Sequence, residues 1–230
     1  MPQNIALIVF ELFIMLFSIC LHACAQAWMA NRKGDPTARM LGRVTMNPAM
    51  HFDPLGTLVW PLLFIYFSPF VLGWGKPVPM TYRNFPKKNG EVISVLAGPA
   101  VQFLAAVVAL LILVVLKHAS PVNAGMIQAA ELMSFRIPAD FGQLPAIFPL
   151  MLLLYVCIVV NLLLCVFNLI PMPFLDGGRI LMYFLPYNAA KTFEQYSFYF
   201  MIAFFLLGSR LIMVGFGPLL AIFNGLLRVL

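Results

Sequence analysis

Residues 92–116, VISVLAGPAVQFLAAVVALLILVVL, run for 25 positions without one charged side chain. About 20 apolar residues in a helix cross the hydrocarbon core of a bilayer, so this run is long enough to span it. Lipid offers no partner to a backbone N–H or C=O, and only helices and closed barrels satisfy all of theirs internally. Uninterrupted runs of this length select helices. Residues 5–29, 55–74 and 147–170 repeat the signal, and the region from about 193 onward is apolar enough for one or two further helices, with GFGP at 215–218 as an expected break. The expected fold is all-α and polytopic: one membrane-embedded domain over residues 1–230, with a core at about 5–182 and C-terminal helices at about 193–230.

Composition removes the competing classes. Charged residues make up only 10% of the chain and hydrophobic ones 63%, whereas about a quarter of a soluble domain is charged. The net charge of +6 does not indicate nucleic acid, because the cations sit in short loops and form no basic stripe. Cys20, Cys24, Cys157 and Cys165 all lie in apolar runs and read as small buried hydrophobes. Residues 1–10 carry no Lys or Arg, and the apolar run from 5 to 21 exceeds a signal-peptide core. The first helix is expected to be retained.

The stretch 55–74 differs from the other runs. Pro61 and Pro69 interrupt it, and proline removes a backbone donor and kinks a helix. The loop before it carries Arg32, Lys33, Arg39 and Arg43, and the loop after it carries Lys76, Arg83, Lys87 and Lys88. A full crossing would divide these charges evenly between the two sides, against the positive-inside bias. A re-entrant element that dips in and returns keeps both loops cytoplasmic.

Ionisable residues at membrane depth are functional candidates. Two stand out: His22, about two helical turns before the charged loop at Asn31, and Asp176 in FNLIPMPFLDGGRIL, just after the run at 147–170. Prolines and glycines make the backbone around Asp176 irregular, which membrane proteins tolerate only where the segment is buried in protein or lines a wet cavity.

Taken in order, HACAQAWMANRKGDPTARMLGRVTMNPAMHFDPLG (22–56), GKPVP (75–79), AGPAVQ (97–102) and FNLIPMPFLDGG (167–178) resemble the ordered motifs of the site-2 protease family of intramembrane zinc metalloproteases. The resemblance implies a three-helix core built from the helix of His22, the helix at 92–116 and the helix at 147–170 leading to Asp176. It also implies zinc, hydrolysis of peptide bonds in membrane-spanning substrates, and single-span membrane proteins or peptides as partners within a bacterial or archaeal cell membrane. In the family, an H-E-x-x-H on one helix supplies two zinc-binding histidines and a general-base glutamate, and the aspartate of L-D-G is the third ligand. Histidines at i and i+4 share a helical face and reach one ion, and the bound zinc lowers the pKa of its water to about 7.

Two essential positions depart from that pattern. Ala23 stands where the glutamate belongs and cannot move a proton; Gln26 stands where the second histidine belongs and offers a neutral amide, a poor zinc ligand. His22 and Asp176 keep their places. Zinc is therefore expected to be weakly held or absent, and the chain is expected to be inactive or impaired. His51 matches a histidine often seen in the family and is expected to anchor its loop; Asn168 matches an asparagine near the active site, where its role is equally substrate orientation or pairing of buried carbonyls. Gln102 replaces a usual asparagine. A non-catalytic membrane scaffold is the alternative, and a transporter fits less well because the spans carry almost no polar residues.

Overall fold

The computed structural model describes residues 2–67, 71–87, 89–119, 124–137 and 144–230. They are helical wherever they are regular: α1 (Pro2–Arg32), the single turn α2 (Thr37–Met40), α3 (Trp60–Phe67), α4 (Gly90–Ala119), α5 (Ala124–Ser134), α6 (Phe148–Leu169), α7 (Asp176–Phe184), α8 (Tyr187–Gln195) and α9 (Ser197–Val229). Among the described residues four helical stretches are long and apolar enough to cross a membrane: Leu7–Arg32, Gly90–His118, Phe148–Leu169 and Arg210–Val229. The chain is a polytopic all-α membrane protein.

Burial identifies the central helix. The apolar window of α6 is 72% buried, against 44% for α1, 33% for α4 and 28% for the last span, so α6 is the post around which the others stand. It packs most extensively on α4, which in turn packs on α1. The remaining faces of α1, α4 and α9 expose large side chains such as Phe13, Leu104 and Val214, as lipid-facing surfaces should.

The stretch at 55–74 turns back. A π-helical turn at Pro54–Val59 leads into α3, and 14 residues of helix rise only about 21 Å, short of the ~30 Å core. Pro61 stands inside this continuous helix and gives no N–H to the turn before it; Pro69 and Lys88 lie outside the described residues. The chain then comes back beside its own entry point: Trp74 N–H donates to Gly56 O at 3.1 Å and Lys76 N–H to His51 O at 2.8 Å, and the Thr57 hydroxyl donates to Trp74 O at 3.0 Å. Two glycines permit this approach. A Cβ on Gly73 would stand 2.4 Å from Gly56 O, and one on Gly56 would stand 2.5 Å from Trp74.

Trp60, Trp74, Phe174 and Phe204 close over the returning segment, with ring centroids 5.1 Å apart for Trp60 and Trp74 and 5.5 Å for Trp74 and Phe174. Such aromatic pairs add to the burial of their area.

The other segment that bears on parity is short. At 11 residues, α5 rises about 16 Å and does not cross. Lys33 and Lys87 flank the re-entrant stretch, which returns to its entry point, and should share one side. With single cysteines at these positions in a background lacking Cys20, Cys24, Cys157 and Cys165, an impermeant thiol reagent should label neither in intact cells and both after permeabilisation. Labelling of position 87 alone would show that the segment spans.

The C-terminal region corrects one sequence expectation. GFGP does not break the helix: α9 runs unbroken from Ser197 to Val229 with Pro218 inside it. In lipid the alternative is irregular backbone with several unpaired groups, so the helix tolerates the loss of one donor at the proline.

Candidate functional site

The last turn of α6 delivers Asp176. After Leu169 the chain makes a compact turn, with Met172 N–H to Ile170 O at 2.7 Å and Leu175 N–H to Met172 O at 2.9 Å, and α7 starts at Asp176 itself. The carboxylate thereby points back into the bundle, 7% exposed. His22 reaches it from α1, with Nε2 at 2.9 Å from Asp176 Oδ2. Gln26, one turn further along the same face, donates through Nε2 to the same oxygen at 2.8 Å.

The AGP of α4 seats this pair. Gly98 lies against the His22 ring, where a Cβ would stand 2.4 Å from Cε1; any side chain there displaces the imidazole. The other ring nitrogen of His22, Nδ1, is buried with no partner among the described residues. Gln26 is 2% exposed, and its Nε2 also donates to Val95 O of α4 at 2.9 Å.

These residues line a cavity of about 310 Å³, together with Ala23, Asn168 and the segment around Trp74–Val78. Asn168 donates to Leu164 O at 2.9 Å and to Gln102 Oε1 at 3.3 Å. Gln102 also lines the cavity and is fully buried, and its Nε2 has no acceptor among the described residues. Lys76, Arg179 and Glu194 add charge to the lining.

His51 is not among the cavity-lining residues. It is 1% exposed, its Nε2 lies 2.8 Å from Thr45 O, and its own carbonyl accepts from Lys76 N–H. Since a carbonyl only accepts, Nε2 carries the hydrogen. Burial pushes this imidazole below its ordinary pKa; the bond to Thr45 opposes that, and the Arg43 cation adds to the lowering. Arg43 itself donates to Lys76 O at 2.6 Å. The loop at 43–51 therefore holds the segment at 74–78 against the cavity.

A second anchor lies at the far end of that segment. Asp35, fully buried, accepts from Thr81 N–H at 2.7 Å, from the Asn84 amide at 2.8 Å and from Thr37 N–H at 3.1 Å. Burial alone would raise the pKa of its carboxyl; the hydrogen bonds from Thr37, Asn84 and Thr81 outweigh it and hold the group below the usual range.

Of the residues singled out in the sequence, the fold brings His22, Ala23, Gln26, Asn168 and Asp176 to one cavity and sets His51 behind the segment. Among the described residues no three His, Cys, Asp or Glu side chains converge as a metal site. The sequence reading missed Glu11, an acid inside the apolar run of the first helix, 3% exposed and paired with Arg136 at 2.6 Å. A lone acid in such a run is itself a visible signal. It also missed Gln102 as a cavity donor and the link from Gln26 to Val95.

Comparison with known proteins agrees with the motifs. Residues 10–208 match the family described as Peptidase family M50. The chain is 32% identical over 205 residues to the Bacillus subtilis (strain 168) protein named "Putative zinc metalloprotease YwhC", an alignment covering 88% of this chain and 81% of that one. No solved structure matches it. Four membrane-length helices, His22 facing Asp176 across one cavity, and a match over most of its length lead to one conclusion: the chain belongs to the site-2 protease family of intramembrane zinc metalloproteases, Peptidase family M50.

Proposed function

We propose that this chain receives membrane segments of single-span proteins or peptides in the cavity beside His22, and hydrolyses them slowly or not at all. The observation that carries the reading is Ala23, which lies on the cavity wall next to His22, where the family resemblance places the general-base glutamate. A methyl group takes no proton from water, and loss of a general base typically costs 10²- to 10⁴-fold in rate.

The cavity wall supports a peptide as occupant. Residues 71–80 are neither helix nor strand, so a non-helical backbone segment borders the site.

The donor set does not fit a tightly held zinc. Catalytic zinc takes three protein ligands and a water; here His22 and Asp176 are two strong donors, and Gln26 turns N–H hydrogens toward the same point. The compartment proposed is a bacterial or archaeal cell membrane. A non-catalytic scaffold is the same reading without turnover.

The test uses the full chain in detergent, immobilised and incubated with a labelled single-span segment, and zinc measured after dialysis. The segment is expected to be retained uncut, with zinc well below one ion per chain. Chelator-sensitive fragments would overturn the loss of hydrolysis, and failure to retain the segment would overturn the binding role.

A further inference from the structure

Pro99 lies inside α4, and a proline has no N–H to give the carbonyl four residues earlier, here Val95. An unpaired carbonyl at membrane depth is costly and must find another donor. It finds Gln26, whose Nε2 donates to Val95 O at 2.9 Å from 69 residues away in sequence. The same nitrogen donates to Asp176 Oδ2 at 2.8 Å, 150 residues away. An amide nitrogen has two hydrogens, and both are used here. Both partners are acceptors, so the amide cannot turn over: the flipped form would set Oε1 against a carbonyl and a carboxylate.

Asp176 Oδ2 also receives His22 Nε2 at 2.9 Å. One buried amide thus joins α1, α4 and α7 at the point where a zinc site joins its ligands through the ion. Among the described residues His22 Nδ1 is buried with no partner and lacks the outer acceptor that a metal-bound imidazole ordinarily has.

We propose that Gln26 is a built-in replacement for the metal, a hydrogen-bonded closure that keeps His22, Asp176 and the AGP turn of α4 assembled without any ion. The proposal rests on the reading that zinc is not resident. It goes beyond that reading by making the substitution at position 26 a gain for the fold, with the Pro99-freed carbonyl as the feature that fixes the amide. Glutamine suits the position because it has two donors on one atom and the reach of a helical side chain across to α4.

Thermal unfolding of the full chain in detergent tests it, with a chelator and with added zinc chloride. The wild-type midpoint is expected to be the same in both. Gln26→Ala should lower it by at least ~5 °C in both, because two buried acceptors lose their donor. Gln26→His should be low in chelator and recover with zinc. In a Pro99→Ala background, where Val95 O regains a helical N–H, the loss from Gln26→Ala should shrink.

A wild-type midpoint that falls on chelation would show a resident metal and overturn the underlying reading. A wild type indifferent to chelator, with Gln26→Ala equally stable, would overturn the replacement alone. Should Gln26→Ala not fold, Gln26→His decides: recovery with zinc supports the proposal, and equal midpoints with and without zinc refute it.

Discussion

In the Ala23→Glu, Gln26→His double variant, hydrolysis of a reporter membrane segment should rise by roughly 10²- to 10⁴-fold over the parent and vanish on chelation. The expectation follows from what already stands in place. His22 and Asp176 are within 2.9 Å of each other, and position 26 is on the same helical face, with its side chain already reaching the Asp176 carboxylate. An imidazole there supplies the third strong donor that a catalytic zinc takes.

The carboxylate from Ala23→Glu then enters the cavity wall, one residue from His22. Neither single variant should show this rise, for different reasons: Gln26→His gains metal without a base, and Ala23→Glu gains a base without metal. Zinc content after dialysis separates the two. A zinc-loaded double variant that cuts nothing would show that the cavity no longer positions a peptide bond.

The second large effect is expected far from this site. Glu11 is 3% exposed within α1, and Arg136 reaches it at 2.6 Å while its other terminal nitrogen donates to Ile65 O at 3.2 Å. The pair ties α1, the end of the re-entrant α3 and the segment after α5. Arg136 has a φ of 56°, in the left-handed region that residues with a Cβ seldom adopt, so the turn that aims its guanidinium inward is itself strained.

Glu11→Ala leaves that cation buried without its anion, which costs about 3–5 kcal/mol and should lower the unfolding midpoint by roughly 10 °C for a chain of this size. Glu11→Gln keeps a hydrogen-bond acceptor and should cost less. A midpoint unchanged in Glu11→Ala would show that the guanidinium finds water or headgroups instead and that the pair does not hold the outer end of the bundle.

Much of this architecture was legible because a bilayer imposes a one-dimensional test. A window of apolar residues either reaches across the hydrocarbon or does not, and residues 5–29, 92–116 and 147–170 pass it on composition alone. The loop charges and Pro61 marked the stretch at 55–74 as different, and the return of Trp74 to Gly56 follows from that parity. GFGP misled for a related reason. Turn residues break helices in water, where the freed backbone groups are solvated, but in lipid the helix through Pro218 is the lesser cost.

The candidate site divides along the same line. That His22 and Gln26 share a face is a property of helical period and was visible in the sequence. That Gln26 binds Val95 O, that Gly98 seats the imidazole, and that Glu11 meets Arg136 across 125 positions depend on how α1, α4, α5 and α7 pack. Local pattern determines which groups are buried, because burial is decided by each segment against its solvent. Which buried groups become partners is decided only when the helices close on one another, since a hydrogen bond needs its two atoms within about 3 Å and no sequence spacing encodes that distance.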